Sequence, residues 1–330
     1  MKKRSIGTVL ATVPYTGWHL EKLRTALEPS TFIHLDQNDE AGIAEALKEA
    51  DVAILAADLD ERFIHAPHLR WVHCDHSGLN ASARSEIFEL GLMVTGSAGR
   101  SAPVLAEHVF YFTLSLIYDS TGLQNMQKAH QWGGLPGYQN RRGLYGKTMG
   151  IIGLGYTGKE VALRAKAFGM RVLGYRHSVT ELPPGVDSLY CAERGDTIDD
   201  LLRESDVVVL SVRLTDDTHH LIGDREFGLM KPSAFLINMA RGPVVDENAL
   251  IAALYEKRIG GAGLDTFDQE PLPSDSRLWD TPNLLITPHG TPGMPDMVAR
   301  SLDIICENVR LYREGEPLLN MLTPKDVYTK

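Results

Sequence analysis

The sequence predicts an α/β protein of two domains, each built on a parallel sheet. Three observations carry that class. Short apolar runs alternate with helical patterns in two successive stretches of the chain. A glycine-rich turn follows the first strand of the second stretch. Three later strands of that stretch each run into a charged or titratable side chain. The 330 residues are enough for two domains with a real core, and 43% hydrophobic against 23% charged residues is an ordinary globular balance.

In the first stretch, "TVLATV" (8–13), "TFIHL" (31–35), "VAILAA" (52–57), "LRWVHC" (69–74) and "LMVTGS" (92–97) read as buried strands. Helix spacing falls at 17–28, with Leu20, Leu23 and Leu27, and at 40–50. The second stretch begins near 148. Its strands are 148–155, 171–175, 207–212, 234–240, 260–267 and 284–289, about six, with helical patterns at 158–168, 197–204 and 246–256. Two segments join the stretches. Residues 102–132 read as a long apolar helix with a continuation, opened by Pro103. Residues 295–315 read as an amphipathic helix, apolar at Val298, Leu302, Ile305, Val309 and Tyr312. The Gly- and Pro-rich 132–146 reads as a loop.

Composition removes several function classes. A net charge of −10 opposes bulk binding to nucleic acid or an anionic membrane. Cys74, Cys191 and Cys306 are few, odd in number and without metal-type spacing, which fits a reducing compartment. The basic start of the chain lacks the apolar core of a signal peptide, and no run approaches a membrane span. The expectation is a cytoplasmic protein.

"GIIGLGYTG" places Gly153, Gly155 and Gly158 in a GxGxxG between a strand and a helix. The glycines serve the tight turn, the approach of backbone to a pyrophosphate, and close helix–strand packing. The helix that follows offers free N–H groups to an anion. Leu154, Tyr156 and Thr157 complete this cofactor loop. The next strand ends in "GYRHS", so Arg176, His177 and Ser178 stand where NAD sites place an acid against the ribose. A guanidinium there suits a 2′-phosphate. The expectation is NADP(H) preferred, NAD(H) possible. The competing reading leaves Arg176 on the adenine or in solvent, with both cofactors working.

Arg241, Asp265 with Glu270, and His289 follow three later strands at their carboxyl ends, where open α/β sheets bind ligands. Arg, Glu and His together suit carbonyl reduction beside a carboxylate. Arginine grips the carboxylate, histidine donates the proton, and glutamate fixes the imidazole tautomer and raises its basicity.

"GIIGLGYTG", "NMARGPVVDE", "GLDTFDQEPLP" and "TPHG", in this order, resemble the D-2-hydroxyacid dehydrogenases, strongly over about 101–320 and less over 1–100. The resemblance implies two Rossmann-like domains with the active site in the cleft between them. One is a discontinuous, flavodoxin-like substrate domain (1–100 and 295–330). The other is a doubly wound NAD(P)-binding domain (101–294). It assigns catalysis to Arg241, Glu270 and His289, with Arg241 and His289 also touching substrate. It places Ser77 and Gly78 of "HSGLN" on the substrate carboxylate through backbone N–H groups. It sets Asp265 near the nicotinamide and Val212, Arg213 and Leu214 beside the adenine, with Thr218 closing that loop. Met239, Ala240 and Gly290 join the cofactor residues. The family's histidine and proline in the adenine loop are replaced here by Val212 and Leu214.

His73 and His76 flank Cys74 and Asp75 with a spacing that could suggest a metal, but alternate side chains of a strand face opposite ways. They read as buried or substrate-side, and no metal is expected. His219 and His220 read as surface residues. The reading is an NADPH-dependent 2-ketoacid reductase of the glyoxylate or hydroxypyruvate type giving the D-product. Alternatives are an NAD-dependent enzyme such as a phosphoglycerate dehydrogenase, and a nucleotide-sensing corepressor-like protein. Glu270 argues against formate dehydrogenase, which carries glutamine there. The helix at 102–119, with Val104, Leu105, Val109, Phe110, Phe112, Leu114, Leu116 and Ile117, is apolar nearly all round and reads as buried on several sides. The resemblance, in which such a helix lies in a two-fold interface, implies a homodimer.

Overall fold

The computed structural model describes residues 3–133, 135, 137–141, 143–178 and 181–330. Met1 and Lys2 of the basic start, and Gly134, Pro136 and Arg142 of the 132–146 loop, lie outside them. The chain divides into two compact units, Met1–Ser101 with Gly293–Lys330, and Ala102–Pro292.

The first unit holds β1 (Thr8–Ala11), β2 (Thr31–His34), β3 (Val52–Leu55), β4 (Trp71–Cys74) and β5 (Met93–Gly96). All pair in parallel in the order β2-β1-β3-β4-β5. Both faces are covered, so the strands are mostly apolar, with His73 and Thr95 as buried polar exceptions. Val9, Val52, Ile54 and Trp71 face one core with Leu23 and Leu27 of the helix Gly17–Leu27. Leu10, Ala53, Leu55, Val72 and Val94 face the other. This is the alternation a period of two demands. The helix Met297–Glu314 inserts Leu302, Ile305, Val309 and Tyr312 into the first core, and Trp71 stacks on Tyr312 at 5.3 Å. Each such buried side chain contributes about 1.5–3 kcal/mol. That burial draws the end of the chain back to the unit that began it.

The second unit holds β6 (Thr148–Ile152), β7 (Arg171–Arg176), β8 (Ser188–Cys191), β9 (Val207–Leu210), β10 (Phe235–Asn238), β11 (Gly261–Leu264) and β12 (Leu284–Ile286). They form one parallel sheet ordered β12-β11-β10-β9-β6-β7-β8. Among the described residues the sheet has seven strands, against about six read from the sequence. The sequence reading passed over β8 because "SLYC" is short, half polar and mostly half-buried at a sheet edge.

The helix Ala102–Tyr118 packs on this sheet and on the helix Tyr156–Ala167. Phe112 lies against Gly263 so closely that a Cβ there would sit 2.5 Å from its ring. Within 102–132 the long helix and its continuation are two separate helices. Asp119, in the left-handed region at φ 50°, ends the first piece and caps a second, Ser120–Lys128, by accepting from Gly122 N–H. Val109, Phe110, Phe112, Leu116 and Ile117 are spent inside this unit's core, whereas Tyr111 and Tyr118 stay exposed. Among the described residues no helix is long and apolar enough to cross a membrane.

Candidate active site

The glycine turn lies at the end of β6, where the strand order reverses between β6 and β9. Such a reversal opens a crevice at the carboxyl end of a parallel sheet. The three glycines are required for different reasons. Gly153 has φ +99°, and a Cβ on it would meet the Ser211 carbonyl oxygen at 2.6 Å. A Cβ on Gly158 would meet the Gly153 carbonyl oxygen at 2.1 Å, so the helix Tyr156–Ala167 starts in backbone contact with the turn. The Ser211 hydroxyl closes the turn by donating to Gly153 O at 2.7 Å. Gly155 differs. It has no left-handed φ and nothing lies within 4 Å of its Cβ position. The chain's own packing does not demand a glycine there, but a pyrophosphate against the helix N-terminus does. The turn therefore fits a dinucleotide.

Leu154 turns inward, into the core beside Gly174 and Val186. Only its backbone faces the turn, while Tyr156 is exposed and Thr157 half-buried. Arg176 ends β7 half-buried, and its guanidinium makes no hydrogen bond or ion pair among the described residues. His177 and Ser178 are exposed beside it. His177 Nδ1 lies 3.7 Å from Glu193 Oε1, and the His177 carbonyl accepts from Glu193 N–H and the Cys191 thiol. Beyond β9, Thr218 Oγ1 accepts from Thr215 N–H at 2.8 Å and donates to Arg213 O at 2.7 Å. That pins the turn holding half-buried Val212, exposed Arg213 and buried Leu214.

Past β10, buried Asn238 braces the chain that carries Met239, Ala240 and Arg241. Its side chain accepts from Ala240 N–H at 3.0 Å and donates to Arg241 O at 2.9 Å. Arg241 Nη1 donates to Ala240 O at 2.8 Å. Gly242 follows, and its Cβ position lies 1.9 Å from the Phe267 carbonyl carbon. The bare backbone at Gly242 lets the Arg241 turn close on the turn that holds Glu270. Glu270 is fixed at both oxygens. Oε1 accepts from Phe267 N–H at 2.9 Å, and Oε2 lies 2.7 Å from His289 Nδ1. The other ring nitrogen, Nε2, is thereby left to face outward on a side chain that is 46% exposed. The backbone of His289 is left-handed at φ 48°, and its N–H closes a three-residue turn onto Thr287 O at 3.0 Å. Pro288, at the turn's centre, has its φ set near the value an inverse γ-turn needs.

Asp265 is buried behind this turn. Its Oδ1 accepts from Thr287 Oγ1 at 2.5 Å and from Gly290 N–H at 3.1 Å, and Thr291 Oγ1 lies 3.3 Å from Oδ2. His108, from the helix Ala102–Tyr118, reaches the same two hydroxyls, Thr291 at Nδ1 (2.9 Å) and Thr287 at Nε2 (3.2 Å). Burial pushes the His108 pKa down, against a weaker opposing pull from Asp265. The sequence reading missed His108, Asn238, Gly242, Thr287 and Thr291. A histidine inside a helix that is apolar nearly all round was a usable signal, because a buried ring nitrogen must find a partner.

In the first unit, Ser77 and Gly78 form an exposed turn after β4, with Gly78 at φ +79°. Gly96 lets that turn close on β5, since a Cβ there would meet His76 O at 2.9 Å. Both ring nitrogens of buried His73 are engaged, by Thr95 Oγ1 at 2.9 Å and Ser97 Oγ at 3.0 Å.

Known proteins share this architecture. A family model described as D-isomer specific 2-hydroxyacid dehydrogenase, NAD binding domain, matches residues 110–291. The glyoxylate reductase of Thermococcus gammatolerans is 34% identical over 316 residues, covering 89% of this chain and 90% of its own. A D-isomer specific 2-hydroxyacid dehydrogenase family protein of Aeromonas salmonicida superposes with a TM-score of 0.79 at 30% identity, over 97% of this chain and 99% of its own. A D-isomer specific 2-hydroxyacid dehydrogenase of Xanthobacter autotrophicus, solved in complex with NADPH and MES, does so with the same TM-score at 27% identity, over 97% and 99%. The match runs through the glycine turn and the strand ends that carry Arg241, Glu270 and His289, and the chain belongs to the D-isomer-specific 2-hydroxyacid dehydrogenase family, as an NAD(P)-dependent oxidoreductase.

Proposed function

We propose that the protein is an NADP(H)-preferring reductase of a small 2-ketoacid, of the glyoxylate or hydroxypyruvate class, yielding the D-2-hydroxyacid. The observation that carries the reading is the His289–Glu270 pair at 2.7 Å, with the second Glu270 oxygen held by Phe267 N–H. A dinucleotide on the Gly153–Gly158 turn supplies the hydride. His289 donates a proton from Nε2 to the carbonyl oxygen, and Glu270 at Nδ1 stabilises the imidazolium that precedes that step. Arg241 holds the substrate carboxylate and polarises the neighbouring carbonyl. The exposed backbone of Ser77 and Gly78 is the second carboxylate-binding element of this reading. Asp265 holds the cofactor-side turn through Gly290 N–H.

The names of relatives support the substrate class, since glyoxylate reductases recur among them and the glyoxylate/hydroxypyruvate reductase B of Enterobacter agglomerans is 49% identical over 148 residues, 44% of each chain. NADP(H) preference rests on Arg176, a strand-end guanidinium without a partner among the described residues. A homodimer belongs to the same proposal, through exposed Tyr111 and Tyr118, and light scattering at micromolar concentration decides it.

The test is initial rates of NADPH and NADH oxidation with glyoxylate, hydroxypyruvate, pyruvate and phenylpyruvate, for wild type and Arg176→Ala. The expected result is a higher kcat/KM with NADPH, and a loss of about tenfold in that preference on removing one charge-assisted phosphate contact. Equal use of both cofactors by wild type would overturn the preference. No turnover with any ketoacid would overturn the substrate class.

A further inference from the structure

The turn that presents His289 is held from two sides. Glu270 holds the ring. The turn's two ends are held by a chain of hydrogen bonds linking Thr291, His108, Thr287 and Asp265, with Thr291 Oγ1 also 3.3 Å from Asp265 Oδ2. These residues come from the helix Ala102–Tyr118, from the end of β11 and from the segment after β12. Phe112 sets the helix against β11 at Gly263. His108 is one helical turn earlier and stacks on Phe112 at 4.8 Å with a 20° interplanar angle. That packing brings the imidazole over Asp265 and both threonines.

Counting protons gives the network a direction. Thr287 Oγ1 has one proton and lies 2.5 Å from the Asp265 carboxylate, which only accepts. Its proton goes there, so toward His108 Nε2 it is an acceptor, and Nε2 carries the ring proton. A neutral imidazole then presents a lone pair at Nδ1, 2.9 Å from Thr291 Oγ1, and this nearer acceptor takes the single Thr291 proton in preference to Asp265 Oδ2 at 3.3 Å. Burial of His108 favours this singly protonated ring. Each hydroxyl proton is used once, and the order runs from Thr291 through His108 and Thr287 to Asp265. Asp265 Oδ1 still accepts from Gly290 N–H, the residue after His289. His108 thus fixes the residue two before His289 and the residue two after it.

We propose that His108 is a positioning residue for His289: by donating to Thr287 and accepting from Thr291 it clamps both ends of the turn that aims the proton donor. This rests on the reading of His289 as that donor. The turn needs such a clamp, because its left-handed residue is a histidine, not a glycine, and the surrounding structure must hold that conformation.

The experiment compares wild type with His108→Phe, Thr287→Val and Thr291→Val. His108→Phe keeps the ring stack and removes both hydrogen bonds, and the valines remove only hydroxyls. Leu116→Ala, a core truncation two turns further along the same helix, is the control for general destabilisation. Hydrogen–deuterium exchange of the full chain over 287–291 is followed beside kcat and KM. His108→Phe and Thr287→Val should speed exchange there about tenfold and lower kcat about tenfold, with ketoacid KM within about twofold, the size expected from losing one or two buried hydrogen bonds at a geometry-sensitive step. Leu116→Ala should change neither. Unchanged exchange and kcat in His108→Phe would overturn the proposal, as would equal effects in Leu116→Ala. A wild type without ketoacid turnover would defeat the proposed function instead, and the exchange measurement would still decide the clamp.

Discussion

Two histidines follow parallel strands in the same way, one in each unit. His76 closes a three-residue turn onto Cys74 O at 2.8 Å, and His289 closes one onto Thr287 O at 3.0 Å. Each has a carboxylate nearby, but the surroundings differ. His289 bonds Glu270 at 2.7 Å, and Glu270 is itself locked by a backbone N–H. His76 Nε2 stands 3.6 Å from Asp58, outside hydrogen-bond distance, while Asp58 accepts from Ser82. The polar groups beside His76 are turned inward. Asp75 accepts from Tyr15, Ser97 and Arg100, and Arg100 also donates to Ser301. His73 continues that set through Ser97 to Thr95 and Trp71. At the first sheet Asp75, Ser97, Thr95 and His73 bond one another, and His76 Nε2 is buried without a hydrogen-bond partner among the described residues, whereas at the second sheet His289 keeps Nε2 on an exposed side chain. Saturated groups build a scaffold; groups with a remaining valence do chemistry.

The sharpest way to break this contrast is to exchange asparagine for each histidine. His289→Asn should lower kcat by about 10²–10⁴-fold, the usual worth of a general acid, with dinucleotide binding by fluorescence retained. His76→Asn should change ketoacid KM and leave kcat within about fivefold. A comparable kcat loss in both would mean that the first unit's turn is also chemical.

The next effect tests whether the Asp75 cluster is scaffold. Its carboxylate is buried and Arg100 nearly so. Asp75→Ala removes that guanidinium's carboxylate partner, leaving it the backbone carbonyl at position 75 and Ser301, and should cost about 3 kcal/mol in denaturant unfolding. Asp75→Ala with Arg100→Met should recover part of the loss. An undiminished midpoint in Asp75→Ala would remove the scaffold reading. A pH arm of the same measurement, whose full size is reached only at the acid end, comes last. Full burial holds the His73 pKa down at about 4, so the unfolded chain takes up this proton first. Stability from neutral His73 is complete above its unfolded pKa of about 6.5 and is lost as pH falls toward 4, by up to about 3 kcal/mol. His73→Phe should flatten that acid slope. An unchanged slope would show that other groups carry it.

The candidate chemistry was legible as residue types, because turn and strand-end signals act over a few neighbours. Gly153, Gly155 and Gly158 read as a phosphate turn from their own spacing, and Arg241, Glu270 and His289 read as strand-end groups. Their mutual geometry was not legible. The 2.7 Å contact of Glu270 with His289 needs β11 and β12 paired as neighbours. The need for glycine at Gly242 is invisible until Phe267 is seen against it. The apolar excess of the helix Ala102–Tyr118 suggested a partner subunit, yet most of it is used on Gly263, the sheet and the neighbouring helix.

By itself the sequence determined the two α/β stretches, the glycine turn and the residue types of the candidate histidine, glutamate and arginine at the strand ends. Hydrophobic period and turn chemistry are local, and each element carries its own signal. Tertiary structure alone decided which strand lies beside which, and that a seventh strand closes the edge at Ser188–Cys191. It also decided that the helix at 297–314 covers the first sheet, and that His108 meets Thr287 across 179 residues of chain. The physical reason is one of range. A contact between distant segments depends on the route of the whole chain and on complementary volumes such as Phe112 on Gly263, and no local window contains either.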